Sequence, residues 1–150
     1  MKPKIVIGLV VAAAVVAGIL ASRPWQRFSH SIDPRDAQAV AQGADLYRRH
    51  CAECHGADLK GEPDWRVRKP NGELPAPPHD ETGHTWHHSD EQLFAMTKHG
   101  MSRFAPPDYR SAMPSFVGRL TDREIRSVLA YVKSTWPADI QARQQQLNLR

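Results

Sequence analysis

Cys51-Ala52-Glu53-Cys54-His55 is the stretch that decides how this chain folds. Two thiols three positions apart lie on one helical turn, where each can form a thioether bond with a vinyl group of haem. The histidine directly after them sits where its imidazole reaches the iron from the proximal side. These are the only two cysteines in 150 residues. Zinc is the competing occupant, because Cys51 and Cys54 could pair with His84 and His88, which have an H-x₃-H spacing. The gap between the pairs is 29 residues, roughly double the ~12–15 of a zinc finger. Zinc would also leave His55 without a role. One covalently attached haem c is therefore the expected cofactor.

Length fits one domain plus a targeting segment. The formal net charge is +4, from 20 basic and 16 acidic residues. Lys2 and Lys4 belong to the leader, so the exported part is close to neutral. No basic cluster is interleaved with aromatics, which argues against nucleic acid as a partner. With both thiols committed to haem, cysteine usage says nothing about compartment.

The leader does. Lys2 and Lys4 precede an unbroken apolar run from Ile5 to Ala21, followed by Ser22-Arg23-Pro24-Trp25. As a secretory signal the run is long for an apolar centre of about 7–15 residues, and cleavage after Ala21 places bulky Ile19 where a small residue is preferred. As a membrane anchor, the run of 17 residues meets the lower limit of about 17–25, and Trp25 suits the interface. We expect residues 1–22 to be a signal anchor or signal peptide, the anchor being favoured. Residues 23–35 are expected to be a tether, 36–136 the domain, and 137–150 a polar C-terminal tail, either a frayed helix or a mobile end. The domain lies on the extracytoplasmic side in either case.

A first helix should begin near Pro34, at a permitted first-turn position. It runs through Val40, Ala44, Leu46 and Tyr47 to the cysteine turn, with apolar residues at helical spacing. Gly43 costs about 1 kcal/mol against alanine there, a sign that another helix must pass closely. Pro63, Pro70, Pro75, Pro77 and Pro78, with Gly72, exclude a long helix or central strand over 63–82. That stretch is an irregular loop wrapping the haem edge, or else a linker. The loop is preferred, because neither side alone has the apolar residues for its own core. Ser89-Asp90-Glu91-Gln92 and Thr121-Asp122-Arg123-Glu124 are capping boxes that open two further helices. Gly100 closes the first of these, and the second runs through Val128, Leu129, Tyr131 and Val132 to Trp136.

A thioether sixth ligand would close the iron's coordination and raise its potential, as suits a carrier. Met96 falls on an amphipathic helix, where core filling is the ordinary role. Met101 follows a helix stop and is the weaker candidate. Met113 stands in a loop 58 residues beyond His55, stiffened by Pro114 and followed by the last helix. It is the expected axial ligand.

Gly43, Leu46-Tyr47, Cys51-Ala52-Glu53-Cys54-His55-Gly56, Met113-Pro114 and Leu129-Ala130-Tyr131-Val132 together resemble the class I cytochrome c family, over roughly residues 36–136. The resemblance implies an all-α fold of about three to five helices around one covalent haem. It implies that the first and last helices cross near a right angle, with Gly43 beneath Tyr131. It further implies thioether bonds at Cys51 and Cys54, and His55 and Met113 as axial ligands. The segment 63–88 is longer and richer in histidine than in compact members. His79, His84, His87 and His88 would be a copper or zinc site, or Trp86 or one of these histidines would donate to a haem propionate, or the loop is simply polar. One of them could also replace Met113 in a bis-histidine haem.

The expected function is single-electron transfer by an exported or membrane-anchored monohaem carrier serving a respiratory or related redox chain. The protein should be a monomer that docks transiently on redox partner proteins, such as a membrane oxidase or reductase or soluble donors. No nucleophile, acid–base pair or phosphate loop points to an enzyme. The alternatives are a haem gas sensor or enzyme with a labile sixth ligand, and a metal-handling protein using His84, His87 and His88.

Overall fold

A computed structural model describes residues 32–106 and 109–149 of the chain. The leader and most of the tether therefore lie outside the described residues. Among the described residues there are five α-helices: α1 (Ala37–His50), α2 (Ala52–His55), α3 (Asp90–His99), α4 (Asp122–Ser134) and α5 (Ala138–Leu147). Short 3₁₀ turns occupy Thr85–His87 and Met101–Arg103. Among the described residues there is no strand, only one isolated parallel bridge between Glu73 and Arg110. The all-α expectation holds.

Helix starts follow local hydrogen-bond chemistry. α1 begins three residues later than Pro34, because the Asp36 carboxylate accepts from the Gln38 and Ala39 amides and so caps the helix there. Ahead of it, Ile32 is only 3% exposed, so the end of the expected tether already packs into the core. Both predicted capping boxes are present, Ser89 with Gln92 and Thr121 with Glu124. Gly100, at φ +76°, ends α3.

The core is the α1–α4 pair. Leu46 and Tyr47 of α1 are buried with Ile125, Val128, Leu129, Ala130 and Val132 of α4. Side chains three and four apart present one apolar face from each helix. Gly43 lets the backbones meet: a β carbon there would lie 1.9 Å from the Ser127 carbonyl oxygen and 2.9 Å from Tyr131 Cβ. Tyr131 also packs on Tyr47, with ring centroids 5.4 Å apart.

The C-terminal stretch departs from expectation. Residues 138–147, expected as a frayed helix or mobile end, form the helix α5, with Ile140 and Gln144 buried. The Gln144 amide donates to the His88 carbonyl (3.1 Å) and the Asp90 carboxylate (2.8 Å). Asn148 accepts from the Asp90 amide at 2.8 Å. Polar residues hold this helix, so its sequence carries little apolar periodicity.

Candidate haem site

Cys51 ends α1 and leads directly into α2, a single turn that carries Cys54 and His55. Cys51 is half-buried and Cys54 exposed, and neither is in a disulfide. Burial pushes the Cys51 thiol up to about 11, with Cys54 adding to the rise. A short helix ending in Gly56 at φ +77° therefore displays two sulfurs and one imidazole within five residues.

His55 is 8% exposed. Its Nδ1 lies 2.8 Å from the Pro77 carbonyl. A carbonyl can only accept, so Nδ1 carries the proton and Nε2 is left with its lone pair. Burial lowers the His55 pKa, while the Pro77 contact opposes it, which favours the neutral imidazole that a metal requires. The donor set fits haem c: two thiols for the vinyl groups and a neutral imidazole oriented through its outer nitrogen.

His79 stacks on His55, with ring centroids 4.0 Å apart and planes 24° from parallel. Its own Nδ1 meets Thr85 Oγ1 at 2.8 Å, and packing around the ring holds its pKa well below the ordinary histidine range. Trp136 Nε1 donates to the His79 carbonyl at 2.7 Å, and the His79 amide donates to Leu59 O at 2.7 Å. The Tyr47 hydroxyl donates to the Gly56 carbonyl at 3.0 Å. Pro77, His79 and Trp136 thus brace His55. Their role was not foreseen from sequence, where only the proline density of this loop offered a signal.

Met113 is half-buried and lines a cleft of about 410 Å³ together with Glu73, His99, Met101, Tyr109 and Arg110. Met96 packs against the core. The His84 and His88 rings meet edge to face, with centroids 5.7 Å apart. His84 stacks on Trp65 at 5.3 Å, and His87 on Trp86 at 3.7 Å. Trp86 Nε1, its single donor, is taken by the Glu81 carbonyl at 3.2 Å. Among the described residues no set of three or more His, Cys, Asp or Glu is arranged to hold a metal ion. Cys51 and Cys54 are accordingly not gathered with His84 and His88.

A helical domain presenting this thiol–thiol–imidazole turn defines a class I monohaem c-type cytochrome with one covalent haem c. Residues 38–132 match the family described as cytochrome C oxidase, cbb3-type, subunit III, and the chain belongs to that family. It is 32% identical over 97 residues to the cbb3-type cytochrome c oxidase subunit CcoP of Cereibacter sphaeroides, covering 65% of this chain and 28% of that subunit. The chain thus spans under a third of the CcoP length. It is 31% identical over 96 residues to cytochrome c6 of Thermosynechococcus vestitus, covering 64% of this chain and 70% of that protein. A cytochrome c6 of Synechococcus elongatus is 31% identical over 93 residues, covering 62% and 86%. No solved structure is a significant match.

Proposed function

We propose that this protein is a single-electron carrier of a respiratory or photosynthetic chain, with haem held by Cys51 and Cys54 through thioether bonds and by His55 and Met113 as axial ligands. The observation that carries this is the His55–Pro77 contact at 2.8 Å. It fixes the imidazole ring and its tautomer before any metal is bound, so little rearrangement accompanies a change of iron charge. Bound haem c supplies a reversible ferrous–ferric couple. The chain's residues orient the ligands, exclude water through Tyr47, Leu59 and the 75–79 segment, and leave Cys54 at the surface.

The resemblance to cytochrome c6 proteins over most of their length supports carriage rather than substrate conversion. Redox partners are proteins met through small, weak interfaces. The apolar run 5–21 would tether the domain on the extracytoplasmic face as a membrane anchor, raising its effective concentration near membrane partners; cleavage would release it as a soluble periplasmic protein. Among the described residues no helix is long and apolar enough to cross a membrane.

Acidified organic solvent applied to the denatured holoprotein should leave the pigment on the polypeptide. A potentiometric titration should follow a one-electron curve, about 59 mV per tenfold change in ratio. Extraction of the pigment would overturn the attachment, and ready carbon monoxide binding by the reduced protein would favour a gas sensor instead.

A further inference from the structure

The loop over 62–77 touches both sides of the proposed iron site. At its trailing end Pro77 accepts the His55 proton at 2.8 Å. One residue earlier, Ala76 and Glu62 exchange two bonds: Glu62 N donates to Ala76 O at 2.9 Å, and Ala76 N donates to Glu62 Oε2 at 2.7 Å. The other Glu62 oxygen accepts from Lys69 Nζ at 2.9 Å. These bonds close the loop at its base.

Its tip is a tight turn. Gly72 N donates to Lys69 O and Lys69 N to Glu73 O, each at 2.8 Å, and Gly72 takes φ +85°, which an L side chain resists. That tip grips the segment leading to Met113. Glu73 forms the parallel bridge with Arg110, Arg110 Nη1 donates to the Asn71 carbonyl at 3.2 Å, and the Arg68 guanidinium lies 5.7 Å from the Tyr109 ring centre. Beyond Met113 a second anchor is present: Ser115 Oγ, Phe116 N and Val117 N all donate to Lys98 O, at 2.9, 3.1 and 3.1 Å. Met113 is thus suspended between two fixed points, of which the first belongs to the 62–77 loop.

We propose that the 62–77 loop is a strap holding both axial positions, and that Arg110 is the positioning residue through which it keeps Met113 in place. The proposal rests on Met113 being the sixth ligand. A thioether is a weak, neutral ligand, so its retention depends on how little the chain gains by releasing it. Without the Arg110 bond and the bridge, the stretch before Met113 would be anchored on one side only.

Imidazole displaces the thioether from the ferric holoprotein, and loss of the iron–sulfur charge-transfer band reports the exchange. Arg110→Ala and, from the other side of the contact, Gly72→Ala should each bind imidazole about tenfold more tightly, at the bottom of the range for residues supporting a metal ligand. Arg110→Lys, which keeps a cationic donor, should fall between Arg110→Ala and the natural protein. Unchanged imidazole affinity in both alanine variants would overturn the strap, and a lowered unfolding midpoint with unchanged affinity would reduce it to fold support. Met113→Ala separates the two ideas: a charge-transfer band that survives it refutes the ligand assignment itself.

Discussion

Gly43 and Ser127 lie in backbone contact, so that a β carbon on the glycine would stand 1.9 Å from the serine carbonyl oxygen. The helix pair that this contact permits carries the cysteine turn at the end of α1 and, on α4, the largest block of core residues, Ile125, Val128, Leu129, Ala130 and Val132. Because the obstacle is backbone, no rotamer change relieves it, and α1 must move away from α4. Gly43→Ala should therefore destabilise the domain by about 3 kcal/mol, at the upper end of ordinary overpacking costs, despite alanine's better helix propensity. Denaturant unfolding of the holoprotein checks this, and a stabilised variant would mean that the two helices do not meet here.

Met113 and Met101 line the same cleft, which makes their comparison informative. Met113→Ala should abolish the iron–sulfur charge-transfer band and lower the reduction potential, since a thioether favours the ferrous iron. Met101→Ala should leave both unchanged. The reverse outcome would move the sixth ligand to the 3₁₀ turn after α3.

Lys133 is only 3% exposed at its side chain and meets Asp90 at 2.6 Å. Gln144 Nε2 bonds the same carboxylate oxygen. Removing the acid strands a buried ammonium, so Asp90→Ala should cost about 3 kcal/mol. Lys133→Met should cost less, and the double variant Asp90→Ala/Lys133→Met should recover part of the loss. Unfolding midpoints of the three proteins decide this, and equal losses would show that the pair is not buried in solution.

The Thr121 amide and hydroxyl hold the Glu124 carboxyl below the usual carboxylate range. A carboxylate lowered in the folded state contributes stability above its unfolded pKa near 4.3, and loses it as pH falls through the lower folded value. Glu124→Gln keeps an acceptor but cannot titrate. The variant should therefore lose less stability than the natural protein between about pH 5 and pH 3, the difference staying near 0.5–1 kcal/mol, as for other caps. Parallel unfolding curves across that interval would show that the box does not titrate with folding.

Hydrogen-bond chemistry along the chain made several elements legible before any coordinates. Both capping boxes, the stop at Gly100 and the thiol–thiol–imidazole turn depend on neighbours within about four residues, so they are written locally. Gly43 was legible for a different reason: a glycine inside an apolar helical stripe costs stability unless something must approach it. α5 was not legible. Its buried Gln144 is held by hydrogen bonds to His88 and Asp90, 56 and 54 residues away, and such partners leave no periodic trace.

The amino-acid order by itself determined the cofactor, the helical class and the attachment turn, because each rests on residues adjacent along the chain. Tertiary structure alone decided that Pro77 would orient His55 from 22 residues away, and that His79 would stack on that imidazole while His84 and His87 paired with tryptophans. It also decided that the 62–77 loop would reach Arg110. A proline-rich loop has no internal ladder to define its path, so the path follows from whichever distant carbonyls, rings and guanidinium groups it can satisfy.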